Sequence, residues 1–197
     1  MPAFSQGGSP AAMDEEARRQ AVLADQALAR AIAGGERTAF AALVDRESPR
    51  LLRFARSLLG EPAEAEDVVQ EAFLALWQAA PGWQPDALLT TWLHRVCYTR
   101  SVDRLRRRHA FADIEDLEDR SDPEMTEPDS AIAARERVQS LHQALAQLPP
   151  RQRTAIALFH LQEFSQREAA AVMGVSEDAL ESLLARGRRR MRALLSE

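Results

Sequence analysis

Apolar residues recur every third or fourth position along almost the whole chain, the spacing of helices that bury one face. The spacing holds from Met13 to Ala33, where Gly34-Gly35 ends it. It resumes from Thr38 to Leu59, with Phe40, Leu43, Val44, Leu51, Leu52, Phe54, Ala55, Leu58 and Leu59 at helical intervals. A break is expected near Pro49, because proline has no N–H to give to a helix. Gly60-Glu61-Pro62 punctuates the pattern, Ala63–Ala79 predicts a third helix, residues 81–85 a loop, and Thr90–Arg108 a fourth helix. Periodicity then lapses over 109–130, which carries Pro123 and Pro128 and reads as a flexible linker. Helices return over 130–147 and 151–162, followed by a closely spaced pair. No stretch has the two-residue period of a strand, and no repeat or glycine-rich phosphate loop is present. The expectation is an all-α fold with two small helical domains joined by a flexible acidic linker. Residues 1–20 form a disordered tail, 21–108 the N-terminal helical domain, 109–132 the acidic linker and 133–197 a helix-turn-helix domain.

The closing pair, FSQREAAAVMGVSEDALESLLARGRRRMR over residues 164–192, has the grammar of a DNA-reading helix-turn-helix. Ser165 followed three residues later by Glu168 makes a capping box. Ala169, Val172 and Met173 share one face, and Gly174 suits a sharp left-handed turn. Ser176 caps the second helix, with Glu177 and Asp178 favourable at its N-terminal dipole. There Leu180, Leu183, Leu184, Gly187, Met191 and Leu194 share one face, surrounded by Arg186, Arg188, Arg189, Arg190 and Arg192.

Charge changes this picture by its distribution. The 197 residues are 46% hydrophobic and 28% charged with a net charge of −5, which alone argues against a nucleic-acid binder. Residues 92–108 nevertheless hold six arginines against Asp103 alone, and 186–192 hold five arginines and no acid. Residues 113–129 hold nine acids against Arg120, while 58–94 contain Glu61, Glu64, Glu66, Asp67, Glu71 and Asp86 and no basic residue but His94. Such blocks set up local fields that a whole-chain sum hides. Cys97 is the single cysteine, so no internal disulfide and no cysteine cluster can form. The four histidines lack ligand spacing, and no metal, cofactor or catalytic residue is expected. No apolar run approaches the ~18 residues of a membrane span, and the N-terminus lacks the basic start and apolar stretch of a secretory signal. The expectation is a cytoplasmic protein without membrane insertion.

Two helices carry candidate surfaces. On the third, Val69, Phe73, Leu76 and Trp77 form a buried stripe. Asp67, Gln70, Glu71, Leu74 and Gln78 form a second face, acidic and amide-rich with a leucine at its centre, suited to docking a basic helix. On the fourth, Trp92, Leu93, Val96, Cys97 and Leu105 point inward. Arg100, Arg104, Arg107 and Arg108 make a basic stripe near Trp83, a combination that suits phosphates and unstacked bases.

AEDVVQEAFLALW, then WLHRVCYTRSVDRLRRR, then LPPRQRTAIALFHLQEFSQREAAAVMGVS with ESLLARGRRR, resemble the extracytoplasmic-function (ECF) members of the sigma-70 family of bacterial RNA polymerase subunits. The resemblance implies a sigma factor, not an enzyme, that directs core RNA polymerase to promoter DNA and is restrained by an anti-sigma factor until a stress signal. It places polymerase docking on Asp67, Gln70, Glu71 and Leu74. It places −10 contacts on Trp83, Thr99, Arg100, Asp103 and Arg104. It places −35 contacts on Ser176, Glu177, Asp178, Glu181, Ser182, Arg186 and Arg188. Thr99 stands where many members have asparagine. Glu181 and Leu183 stand where many have lysine and arginine. The alternative is a self-standing helix-turn-helix regulator that binds an operator as a dimer, with the Asp67–Leu74 face as its dimer patch.

Overall fold

The structure, a computed structural model, describes residues 15–82, 88–112, 140–141 and 143–196. Of the 1–20 tail expected to be disordered, residues 1–14 lie outside the described residues and Glu15–Gln20 instead open the first helix; Trp83 and most of the acidic linker also lie outside the described residues. Helices α1 (Glu15–Ala33), α2 (Arg37–Leu59), α3 (Pro62–Ala79) and α4 (Leu89–Ala112) form the N-terminal group, with one 3₁₀ turn at Ala80–Gly82 after α3. Helical residues at 140–141 and 143–146 lead to α5 (Pro150–Ile156), which continues as a π-helical segment, Ala157–Leu161. Helices α6 (Gln166–Met173) and α7 (Glu177–Leu194) follow. The described residues contain no strand.

Local chemistry sets these boundaries. Gly60 ends α2 at φ 75°, and its N–H returns to the Arg56 carbonyl. Pro62 opens α3 at a position where a missing N–H costs nothing. The expected break at Pro49 does not occur: α2 runs straight through it. Pro49 and Asp45, whose carbonyl loses its helical donor, both face outward, where water can replace that bond. The single helix expected over 151–162 is instead α-helical to Ile156 and π-helical beyond it.

In the N-terminal group α2, α3 and α4 interlock through Leu43, Leu51, Phe54 and Leu58, Val68, Ala72 and Leu76, and Leu89, Leu93 and Cys97. Helix α1 is tied in by Asp25, whose carboxylate accepts the Leu89 N–H at 2.6 Å and so caps the start of α4. The C-terminal group buries Leu145, Leu148, Ile156, Leu158, Val172, Leu180 and Leu184.

The two groups share one continuous apolar core. Helix α4 lies against α6, and α2 lies against α5 and the π segment. His94 is fully buried between Phe54 and Phe164, with ring centroids 5.2 and 4.8 Å away. Arg50 donates to the Gln162 carbonyl, and Arg153 donates to the Leu58 carbonyl at 3.0 Å. Burial pushes the His94 pKa down to about 4, because its charged form would lose hydration.

Candidate nucleic-acid interface

The helix-turn-helix forms as its sequence requires. The Ser165 hydroxyl accepts the Glu168 N–H at 3.3 Å, and the Glu168 carboxylate accepts the Ser165 N–H at 3.1 Å. Gly174 takes φ 63° and returns the chain, and the Ser176 hydroxyl accepts the Ala179 N–H at 3.2 Å. Leu180, Leu183, Leu184, Gly187 and Met191 face the core. Ser176, Glu177, Asp178, Glu181, Ser182, Arg186 and Arg188 are all solvent-exposed. No ion pair joins Glu181 to an arginine of its own helix among the described residues. Arg188 reaches His160 instead, its Nε donating to Nε2 at 3.1 Å.

The acidic face of α3 and the basic stripe of α4 meet. Read from sequence they are two separate surfaces; in the structure they share a seam. Arg104 donates to Glu71 at 2.7 Å, to Asp67 at 3.3 Å and to the Glu64 carbonyl at 3.3 Å. Arg100 lies 3.6 Å from the other Glu71 oxygen. Arg108 bonds Glu64 at 3.1 Å and the Leu59 carbonyl at 3.1 Å. The physical reason is helix rotation: α3 and α4 pack so that their charged edges abut, and Arg100, Arg104 and Arg108 each reach a carboxylate of α3.

Past this seam α3 keeps an apolar outcrop. Leu74 is 60% exposed and Trp77 38%, and Trp77 stacks edge-on against Phe40 at 5.1 Å. The sequence pattern assigned Trp77 to the buried stripe; only part of the indole is covered, and it extends the leucine surface. Gln70 is exposed beside it. On α4, Thr99 and Arg100 are exposed and Asp103 is half-buried. Thr99 and Asp103 line a cleft between the two helical groups, opposite Arg151, Arg153 and Met173. His160 and Phe159 escaped the sequence reading, since nothing in a helical repeat marks which residues a later arginine will touch. Among the described residues no group of histidines, cysteines and carboxylates has a metal-holding arrangement, and no helix is long and apolar enough to cross a membrane.

Two protein families match the chain, Sigma-70 region 2 over residues 43–111 and Sigma-70, region 4 over residues 138–191. The first spans the α3–α4 seam and the second the helix-turn-helix, so fold and site together define a transcription initiation factor of the sigma-70 class. The RNA polymerase sigma factor NccH of Alcaligenes xylosoxydans xylosoxydans is 36% identical over 177 residues, covering 87% of this chain and 94% of NccH. The ECF RNA polymerase sigma factor SigM of Mycobacterium tuberculosis H37Rv is 34% identical over 173 residues, covering 87% of this chain and 84% of SigM. The chain belongs to the ECF family of RNA polymerase sigma factors. Among solved structures, CnrH in complex with the cytosolic domain of CnrY superposes with a TM-score of 0.67 at 32% identity, covering 88% of this chain and 97% of CnrH. The sigma factor RpoE in complex with the anti-sigma factor NepR from Bartonella quintana gives 0.65 at 26% identity, over 80% and 96% of the two chains.

Proposed function

We propose that this sigma factor seats on core RNA polymerase through Asp67, Gln70, Glu71 and Leu74, with Trp77 extending the contact. Thr99, Arg100, Asp103 and Arg104 on α4, with Trp83, then face the −10 element. The outer side of α7, from Ser176 to Arg188, reads the −35 element. One observation carries the reading: a helix-turn-helix capped at both helix N-termini and at Gly174, whose second helix presents Ser176, Glu177, Asp178, Glu181, Ser182, Arg186 and Arg188 to solvent. Within that face the acids Glu177, Asp178 and Glu181 occupy the N-terminal half and the arginines the C-terminal half. The acids suit cytosine amino groups in the major groove, and the arginines suit phosphates.

The division of the chain follows: residues 21–108 for docking and the −10 element, 133–197 for the −35 element, and 109–132 as the link between them. The chemistry of RNA synthesis belongs to the polymerase, and this chain contributes binding preference without catalysis, in the cytoplasm. CnrH and RpoE are each seen bound to a second protein, in the case of RpoE a named anti-sigma factor. A comparable anti-sigma factor is the partner proposed to restrain this chain. Run-off transcription with core polymerase on a genomic fragment library tests the reading. The expected result is a discrete set of promoters that fire only when the chain is added. A chain that elutes apart from core polymerase on size exclusion and selects no promoter contradicts it.

A further inference from the structure

Of the arginines on α7, Arg188 is gripped from another element. Its Nε donates to His160 Nε2 at 3.1 Å, and its guanidinium carbon lies 5.3 Å from the Phe159 ring centroid. Arg186, by contrast, folds back onto its own helix at the Ser182 carbonyl. Phe159 is buried and therefore a fixed surface, and its ring meets the His160 ring edge-on at 5.0 Å. Both residues lie in the π-helical segment, where the wider turn changes side-chain directions relative to a continued α-helix. The neighbouring residue, Gly187, brings α7 close: a Cβ there would lie 2.9 Å from the Ile156 Cγ1. Close approach, a π turn and a buried ring thus converge on one guanidinium.

The geometry fixes what remains for a ligand. His160 takes the Nε–H and the guanidinium carbon lies over the Phe159 ring, while the two terminal nitrogens of this exposed side chain hold no protein hydrogen bond among the described residues. Paired N–H groups on a rigid fork fit a phosphate. Resting on the reading of α7 as the DNA-facing helix, we infer that His160 and Phe159 form a platform that pre-orders Arg188 for a backbone phosphate, with His160 as its positioning residue. Accepting through Nε2 requires a neutral imidazole with its proton on Nδ1. Burial and the Arg188 charge both hold the His160 pKa below its ordinary value, so the ring stays neutral near neutral pH.

The test uses holoenzyme assembled from the full chain and core polymerase, on a promoter recovered by the run-off selection. Binding is measured across a salt series for the wild type, His160→Ala, His160→Gln, Arg188→Ala and the His160→Ala/Arg188→Ala double variant. Arg188→Ala should weaken binding and lower the salt slope by roughly one. His160→Ala should weaken binding about three- to tenfold, the affinity equivalent of leaving one long side chain to be ordered on binding. The same change in the Arg188→Ala background should alter binding less than twofold, and His160→Gln, which keeps an acceptor, should recover most of the loss. Equal losses in both backgrounds, or no loss from His160→Ala alone, overturn the platform. An Arg188→Ala holoenzyme with unchanged affinity and salt slope removes the phosphate contact itself and the platform's purpose with it. Failure to recover any promoter overturns the proposed function instead, and the platform's role with it.

Discussion

Leu74 and Glu71 sit one turn apart on α3 yet should respond to mutation in opposite ways. Leu74 packs against little, so Leu74→Ala should change stability by less than ~0.5 kcal/mol. Its loss should appear in the amount of core polymerase retained in a pull-down. Glu71 is held by Arg104 and Arg100, so Glu71→Lys sets an ammonium against two guanidiniums. With its side chain 41% exposed, solvent moderates the penalty, and a destabilisation of about 1 kcal/mol is expected in a urea titration. A polymerase-binding defect in Glu71→Lys therefore mixes docking with local damage, and Leu74→Ala is the cleaner probe. If Leu74→Ala lowers the denaturation midpoint and leaves the pull-down intact, the leucine is packing and not docking. The sequence placed both residues on one face correctly. It could not show that Arg104 reaches Glu71, because periodicity fixes positions around each helix but not the rotation of α3 against α4.

At the scale of elements, the crossing of α7 over α5 depends on Gly187. An alanine inside a helix ordinarily gains ~1 kcal/mol over glycine. Here the added methyl would lie 2.9 Å from Ile156, well inside contact distance, and overpacking of this kind costs about 1–3 kcal/mol. Gly187→Ala should therefore lower the melting temperature or leave it unchanged, where the propensity gain alone would raise it. A clear rise in thermal denaturation would show that Ile156 swings aside freely. Most element boundaries were legible: Gly60, Pro62, Ser165, Gly174 and Ser176 each carry a local backbone signal. The π segment was not. Its extra residue per turn is spread over five positions, too few to shift a hydrophobic repeat, and the reversal behind it puts Glu163 at φ 56° with no glycine to announce it.

Across the whole molecule the contact between the two groups was the least visible feature. His94, Phe164, Arg50 and Arg153 each fit the pattern of their own segment, and nothing local links them. Packing buried an imidazole at their junction, and the consequence for pH has a definite sign. The His94 pKa falls from 6.5 to about 4 on folding, so the unfolded chain takes up a proton first as pH drops. The contribution is complete above pH 6.5 and is lost as pH falls from there through about 4, up to about 3 kcal/mol in all. Denaturant midpoints at pH 7, 6 and 5 should decline for the wild type, and His94→Leu should flatten that decline. Equal slopes in both proteins would assign the acid sensitivity elsewhere. Opening of the junction between α4 and the α6 region would hydrate the same imidazole without global unfolding. Fluorescence labels on the two groups should therefore separate at milder acidity than the helices melt.

The seam between α3 and α4 would make the two proposed binding events answer to one another. Asp67 and Glu71 serve Arg104 and Arg100 in the isolated chain, and under the proposed docking a basic partner helix would compete for the same carboxylates. Occupying them in that way would release the arginines from their internal pairs and make them available to phosphate. Linkage makes this mutual: a partner that raises affinity for DNA by some factor must be held more tightly by the DNA-bound chain by the same factor. Asp67→Asn combined with Glu71→Gln should imitate the partner, raising the free chain's affinity for a short single-stranded oligonucleotide at low salt. In holoenzyme that does assemble, the same pair should give no such gain, because under the proposed docking the arginines there would already have changed employers.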